Sequence, residues 1–172
     1  MQANLSIRNI VNSSTRLIIP FKGLSLGQHS FEFEIDDRFF SQFENAVVQK
    51  GKAFIQVELN KLNNLMACDI TINGEVAVEC DRCLDEFYIP VSFEGKVIVS
   101  QKGQANDGYS QDEDDADVIF LHPSDDELDL SQYCYESIGL SLPLQKIHPN
   151  DANGNSTCNK EMLDKLKDLM VE

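Results

Sequence analysis

Two cysteines separated by two residues, Cys80 and Cys83, form the pattern whose residue types and spacing are most typical of a chemical site. Thiols at this spacing either bind a soft metal ion such as Zn²⁺ or act as a thiol–disulfide redox pair. The flanking segments EVAVE and EFYIPVSF both have the pattern of strands. The two cysteines are therefore predicted to lie in a tight turn between two strands.

This predicted turn favours a metal site over a redox site. A redox pair of this kind needs the N-terminus of a helix, whose dipole and free amides lower the pKa of the attacking thiol. The sequence after Cys83 shows no helical pattern of apolar residues. We therefore predict a zinc knuckle, and the alternative that requires no function is a turn with two unliganded cysteines.

A structural zinc site requires four tetrahedral ligands, so two further donors are needed. Cys68 and Cys134 fall on the predicted buried faces of a strand and a helix, where a lone thiol is usually a small core side chain. The preferred pair is His148 and Cys158, since they flank the turn-rich segment HPNDANGNSTC, which can fold back on itself. The two other histidines are weaker candidates: His29 and His122.

The predicted ligand set, Cys80, Cys83, His148 and Cys158, indicates a structural ion rather than a catalytic one. Four protein ligands leave no open position on the ion, and no general base is evident beside them. We therefore expect no catalytic residues and no enzymatic activity. Because the donors are far apart in sequence, the ion would hold the C-terminal third of the chain against the preceding strands.

The elements that position these residues are mainly strands. HSFEFEI alternates apolar and acidic side chains, and DRFFSQFENAVVQ follows with helical spacing and Asp36 or Asp37 as its cap. Four further segments are predicted strands, and Asn73-Gly74 is predicted to be a hairpin turn between two of them: AFIQVELNKL, NLMACDITI, EVAVEC and FYIPVSFEGKVIVSQ. The predicted fold class is α+β, an antiparallel β meander with a few flanking helices and a knuckle-type metal site.

The C-terminal part continues with a short strand and two helices. DVIFLHP predicts the strand, and Asp129 is predicted to cap the next helix together with Gln132 in a variant of the capping box. The tail from Asn159 has the pattern of an amphipathic C-terminal helix. The buried stripe of the first helix is predicted to consist of four residues: Leu130, Cys134, Ile138 and Leu142.

The length and composition of the chain predict one folded domain. The 172 residues predict a single domain spanning 1–172, and a composition of 42% hydrophobic and 25% charged residues excludes a mostly disordered chain.

The charge of the chain limits its partners. The net charge of −15 opposes sequence-independent attachment to a phosphate backbone. Ten of the 29 acidic residues lie between 104 and 129, where there is no Lys or Arg, and we predict a mobile acidic loop at about 104–117.

The compartment is predicted to be the cytoplasm. The sequence contains no apolar stretch of about 20 residues that could cross a membrane, and its first residues lack the pattern of a secretory signal. In a reducing compartment the five cysteines are expected to be free thiols or metal ligands rather than disulfides.

The resemblance to a known family rests on three stretches: VAVECDRCLDEFYIPV, ELDLSQYCYESIGLSLPLQKIHP and the later Cys158. On these residues, from about Glu75 to Cys158, the chain resembles the bacterial YceD-like family of large ribosomal RNA subunit accumulation proteins. By this resemblance, the family's paired cysteines correspond to Cys80 and Cys83, and its later His and Cys correspond to His148 and Cys158. Family members are described as metal binders, and zinc is our inference.

The resemblance implies a non-catalytic ribosome-biogenesis factor that assists accumulation of large-subunit ribosomal RNA. Its expected partner is the large-subunit precursor, its rRNA or an assembly-factor protein, and no membrane is involved. The alternative is a cytosolic thiol–disulfide oxidoreductase or redox sensor that uses the CxxC pair, and a nuclease is a weaker third interpretation. Direct RNA contact would depend on a basic patch on the sheet: Lys50, Lys52, Lys61, Arg82 and Lys96.

Overall fold

Alternating apolar and polar residues form the strands of one large sheet. In the segment HSFEFEI, Phe31, Phe33 and Ile35 point into the core, as their alternation predicts. The computed structural model describes residues 8–11, 15–44, 47–100 and 116–169. Its strands are β1 (Arg8–Val11), β2 (Ile18–Ile19), β3 (Gly27–Ile35), β4 (Gly51–Lys61), β5 (Leu65–Glu79), β6 (Glu86–Ser100), β7 (Ala116–Phe120) and β8 (Leu128–Asp129). Its α-helices are α1 (Asp37–Phe40), α2 (Ser131–Leu140) and α3 (Lys160–Leu169), with one 3-10 turn at Phe21–Gly23.

The large sheet has the strand order β1-β3-β4-β5-β6-β7. The four central strands, β3 to β6, are antiparallel neighbours in chain order, which is the predicted meander. The edge strands β1 and β7 pair in parallel with β3 and β6, so the complete sheet is mixed. The predicted α+β class is confirmed.

A second, two-stranded sheet joins the two halves of the chain. In it β2 pairs antiparallel with β8, so that Ile18 lies opposite Asp129 and Ile19 opposite Leu128. Two further bonds extend the contact, because the Leu17 amide donates to Ser131 Oγ at 2.8 Å and the Leu130 amide donates to the Leu17 carbonyl at 2.9 Å. An early segment therefore holds the start of α2 in place.

Helix α2 packs on the sheet through the stripe predicted for it. Leu130, Cys134 and Ile138 are fully buried, and Leu142 packs against the same core with partial exposure. The predicted capping box is wrong in detail: α2 begins at Ser131, whose amide donates to Asp129 Oδ1 at 2.9 Å. The Gln132 amide group donates to Glu136 instead of closing the box, because residues four apart share one face of a helix.

The Asn73-Gly74 pair does not form the predicted hairpin turn. Strand β5 runs without interruption through both residues, and the chain reverses only after Glu79. A Cβ atom at Gly74 would lie 2.2 Å from the Lys52 carbonyl oxygen and 2.6 Å from the Ala53 Cα. The glycine is therefore required for a close approach of β4 to β5 rather than for a turn.

The helix predicted over DRFFSQFENAVVQ is much shorter than its apolar spacing suggests. Asp36 caps it as predicted, by accepting the Arg38 amide at 3.0 Å, but α1 ends at Phe40. The side chains of Ser41 and Gln42 donate to the carbonyl oxygens of Arg38 and Phe39, which competes with further helical bonds.

Two further sequence predictions concern the acidic loop and the absence of a membrane-spanning segment. Residues 101–115, which hold most of the predicted acidic loop, lie outside the described residues, and the next two residues are the first of β7. Among the helices described, none combines the length and the apolar character needed to cross a membrane.

Candidate metal centre

The paired cysteines lie in a tight turn between β5 and β6, as their flanking segments predict. The Cys80 amide donates to the Asp85 carbonyl at 3.0 Å, and the Leu84 amide donates to the Cys80 carbonyl at 2.9 Å. Leu84 has a φ of 63°, and within the described ranges it is the one non-glycine residue with positive φ. This left-handed residue closes the turn and leaves both thiols on its inner side, where Cys80 is 0% and Cys83 is 1% exposed.

The segment before His148 is held against this turn by Asp81. The Asp81 amide donates to the Lys146 carbonyl at 2.7 Å, and the Lys146 amide donates to Asp81 Oδ2 at 2.7 Å. The Lys146 ammonium group lies 3.4 Å from Asp81 Oδ1. The hydrogen bond from the Lys146 amide and the charge of the Lys146 ammonium group hold the pKa of Asp81 below its usual range. This two-sided contact places His148, two residues later, beside the cysteines.

The turn-rich segment between His148 and Cys158 closes around Asp151. Its carboxylate accepts hydrogen bonds from the amides of Asn153 and Asn155 at 2.9 and 2.8 Å, and these bonds lower its pKa, that of Asn155 most. Asn150 and Ser156 form an antiparallel bridge across the segment. The chain therefore returns to its starting point, and Cys158 reaches the same site as His148.

The four predicted ligands converge. The distance between the sulfurs of Cys80 and Cys158 is 3.8 Å, and His148 Nδ1 lies 3.4 Å from the Cys83 sulfur and 3.8 Å from the Cys158 sulfur. All four donor atoms lie within 4.8 Å of one another. In a tetrahedral Zn²⁺ site the metal–ligand distance is about 2.3 Å for sulfur and about 2.0 Å for nitrogen. Two sulfur ligands are then about 3.8 Å apart, and a sulfur and a nitrogen ligand are about 3.5 Å apart. These three separations thus match those around one tetrahedral ion, and the whole group is close enough together to hold a metal ion.

Apolar side chains enclose the three thiols. Cys80, Cys83 and Cys158 form a small buried cluster of their own, with Cys158 only 3% exposed. The Phe87 ring stacks on the His148 imidazole with centroids 4.3 Å apart and an angle of 27° between the planes. The other apolar side chains packed against the cluster come from the His148 segment and α3: Ile147, Met162 and Leu163.

The electrostatics of the cysteines favour thiolate formation at one of them. Burial raises the pKa of the Cys80 thiol. The backbone amides of Cys83, Arg82 and His148 together lower it by more than burial raises it, so that the pKa is about 6. Burial raises the pKa of Cys83, and the thiols of Cys80 and Cys158 act in the same direction. Close thiolates repel one another, and a bound cation removes this repulsion.

The other sequence candidates lie elsewhere. Burial raises the pKa values of Cys68 and Cys134 to about 12, and both are core residues, as their positions predict. The His29 imidazole contacts the Ser25 carbonyl at 2.8 Å, and His122 contacts Ser124 Oγ at 2.7 Å. Neither histidine belongs to the cluster of donors.

A comparison with protein families shows which family the chain belongs to. The family model described as large ribosomal RNA subunit accumulation protein YceD matches residues 68–167. This chain belongs to the YceD family. The matched range contains the knuckle and all four converging residues of this YceD protein, and the family's description supports a role related to rRNA accumulation. No curated protein and no solved structure matches the chain.

The sequence alone did not identify two residues that position the candidate ligands of this YceD protein. Asp81 lies between the cysteines, and its spacing alone gives no sign that its carboxylate accepts a distant amide. Phe87 has the pattern of an ordinary strand residue. A signal for Asp81 exists in its residue type, because short acidic side chains often accept hydrogen bonds from nearby backbone in turns.

Replacing Asp81 with alanine is expected to lower the affinity for Zn²⁺ by about tenfold, which is the low end of the effect of removing a supporting residue around a metal site. The substitution removes the acceptor of the Lys146 amide, so His148 is less well placed. Competition with a chromophoric chelator measures this affinity. The matched control is Asp85→Ala, which removes the same charge from an exposed side chain of the same turn. Equal affinities of both variants and the unchanged protein would contradict a positioning role.

Proposed function

We propose that this YceD-family protein is a non-catalytic cytoplasmic factor that assists accumulation of large-subunit ribosomal RNA and binds one structural Zn²⁺. The proposed ligands are the four residues that converge beside the β5–β6 turn: Cys80, Cys83, His148 and Cys158. The rRNA role is supported by the family's description. The convergence of the four donor atoms is the observation that carries the metal role.

The donor set fits zinc. Three thiolates and one imidazole are a common ligand set of structural zinc, and soft sulfur ligands disfavour hard cations such as Mg²⁺. Because all four positions are taken by protein side chains, the ion would bind no substrate. Its proposed contribution is to hold the segment from Lys146 to α3 against the end of the β5–β6 hairpin.

The redox alternative has less support. The three thiols are at most 3% exposed, whereas a reactive cysteine must meet its oxidant or substrate. The pair lies in a turn between strands and not at the start of a helix. The lowered pKa of Cys80 suits metal ligation as well as reactivity. Metal analysis with thiol titration separates the two functions, since protected thiols and about one zinc per chain support the metal site.

The charge distribution supports action through a protein or an assembly intermediate rather than through a phosphate clamp. In the basic patch suggested by the sequence, the Lys50 ammonium pairs with Glu86 at 2.9 Å. The Lys61 ammonium donates to the carbonyl oxygens of Phe21 and Leu24 at 2.8 Å each. These two cations are thus engaged within the protein, while the whole chain carries a net charge of −15.

Depletion of the protein, followed by complementation, tests the proposed function. We expect depletion to lower large-subunit rRNA relative to small-subunit rRNA, and the unchanged gene to restore the ratio. A gene carrying Cys80→Ser and Cys83→Ser should fail to restore the ratio. The control Cys134→Ala should restore it, because Cys134 lies in the main core and is not one of the four converging donors. Normal precursor and mature large-subunit rRNA after depletion would remove the proposal.

A further inference from the structure

A cavity lies between strand β7 and helix α2, away from the candidate metal centre. It has a volume of about 300 Å³ and opens beside the edge of the large sheet. Its walls are contributed by β6, β7 and α2, and the side chains that line it include Phe93, Asp117, Ile119, Tyr133, Glu136 and Leu140. None of these residues belongs to the metal cluster.

The cavity combines apolar walls with two carboxylates. Phe93 and Ile119 pack against the main core, and Leu140 is 83% exposed at the C-terminal end of α2. Asp117 and Glu136 face the cavity from opposite elements. Within the described part of the chain, Glu136 accepts one hydrogen bond, from Gln132, and no cation pairs with either carboxylate. The cavity thus presents negative charge next to apolar surface.

A buried hydroxyl in the same cavity lacks a well-formed hydrogen bond to any described residue. The Tyr133 hydroxyl has Asp117 and Ser137 as polar neighbours, but neither meets it in hydrogen-bond geometry. Buried polar groups without partners are rare in native proteins and call for an explanation such as a missing ligand. Burial and the charge of Asp117 raise the pKa of Tyr133 to about 12, so the group stays protonated and can both donate and accept.

We propose that this cavity binds an arginine side chain of a basic protein segment that lies along β7. The guanidinium group matches the carboxylates of Asp117 and Glu136 and can donate to the Tyr133 hydroxyl, while its apolar stem suits the walls. Charge complementarity identifies the occupant, because Asp117 and Glu136 line the cavity and the whole chain carries a net charge of −15. The same carboxylates would repel the phosphates of a nucleic acid.

The site also suits an extended partner. Strand β7 is the last strand of the sheet order, so in the described structure it pairs with β6 on one side alone. Val118 and Phe120 on this strand are 46% and 52% exposed, which provides apolar contact surface beside the cavity. A segment that binds in this place needs arginine for the cavity and apolar side chains for the edge strand.

Titration of the full-length, zinc-loaded protein with a short synthetic peptide of alternating arginine and serine tests the proposal. Binding is followed by backbone amide chemical shifts, and the largest changes are expected in β7 and α2. Glu136→Gln and Tyr133→Phe should each weaken binding on the order of tenfold. The Tyr133→Phe protein should melt at the same temperature as the unchanged protein or higher, because it loses a buried hydroxyl that no described residue meets in hydrogen-bond geometry.

The control is Glu127→Gln, which makes the same charge change at an exposed position outside the cavity and should leave binding unchanged. Equal weakening by Glu136→Gln and Glu127→Gln would overturn the proposal in favour of general charge attraction. Absence of binding by the arginine peptide would overturn it as well. Shifts of the same residues with a single-stranded oligouridine would show a nucleic-acid site instead. Each of these outcomes leaves the metal content and the rRNA assay unaffected.

Discussion

The Cys83→Ser protein is expected to contain almost no zinc, whereas the unchanged protein should contain about one ion per chain. The serine hydroxyl cannot replace the thiolate as a ligand. The three remaining donor atoms lie close together but leave one of the four positions around the ion without a protein ligand. Structural zinc contributes an apparent free energy of about 10–16 kcal/mol in small peptides, which is as large as the net stability of a whole domain. Elemental analysis of protein purified without added metal measures the difference.

The loss of metal should loosen the C-terminal segment and leave the sheet folded. The buried residues of the cysteine cluster are distinct from those of the main core, and Phe87 is the one partly buried apolar side chain described as packing against both. Helix α3 has no buried residue, and the side chains that tie it down, Met162 and Leu163, pack against the cluster. We expect limited proteolysis between 146 and 169 to become faster on the order of tenfold or more, while the far-UV circular dichroism of the strands persists.

The control for this experiment is Cys134→Ala, which removes a thiol from the main core. Its zinc content should equal that of the unchanged protein, because Cys134 lies outside the cluster of donors. It should instead lower the melting temperature modestly, as a small core truncation does. A Cys83→Ser protein that keeps one tightly bound zinc would show that Cys83 is not a ligand.

The Gly74→Ala protein should be less stable than the unchanged protein by about 2–3 kcal/mol. The added methyl group would lie 2.2 Å from the Lys52 carbonyl oxygen and 2.6 Å from the Ala53 Cα, and both atoms belong to the backbone of a central strand. Neither can move without disturbing the pairing of β4 with β5. Urea denaturation followed by circular dichroism measures the change in the free energy of unfolding.

Gly139→Ala provides a control of opposite sign. Gly139 lies inside α2, and a Cβ atom there would have nothing within 4 Å. Alanine is a better helix former than glycine by about 0.5–1 kcal/mol, so this variant should be more stable than the unchanged protein. A turn at Asn73-Gly74, by contrast, would tolerate alanine at modest cost, so an unchanged stability of Gly74→Ala would contradict the continuous strand.

The convergence of the four candidate metal ligands could be predicted because much of its evidence is local. The spacing of Cys80 and Cys83 and the strand patterns on both sides define the turn, and the composition between His148 and Cys158 requires the chain to bend. The Asn-Gly signal failed because a glycine serves two purposes, a turn or a close approach of two strands, and only the partner strand decides which. Similarly, the spacing of apolar residues after Asp36 could not show that neighbouring side chains end the helix early.

The contacts that position the candidate ligands could not be predicted, because each joins residues that are distant in sequence. Asp81 and Lys146 are 65 positions apart, and their mutual hydrogen bonds exist only once the sheet and α2 have set the path between them. The stacking of Phe87 on His148 depends on the same path. Local patterns thus identify the donors, while the tertiary structure determines their arrangement.

The pairing of β2 with β8 constrains the order of events during synthesis. Leu17 and Ser131 are separated by 114 positions, and at about 5–20 residues per second the ribosome needs roughly 6–23 s to pass from one to the other. During that interval Leu17 and Ile19, which are fully buried in the native state, have no partner strand. The nascent chain therefore keeps an apolar segment exposed until its C-terminal third emerges, and this delay is a window in which chaperones can bind.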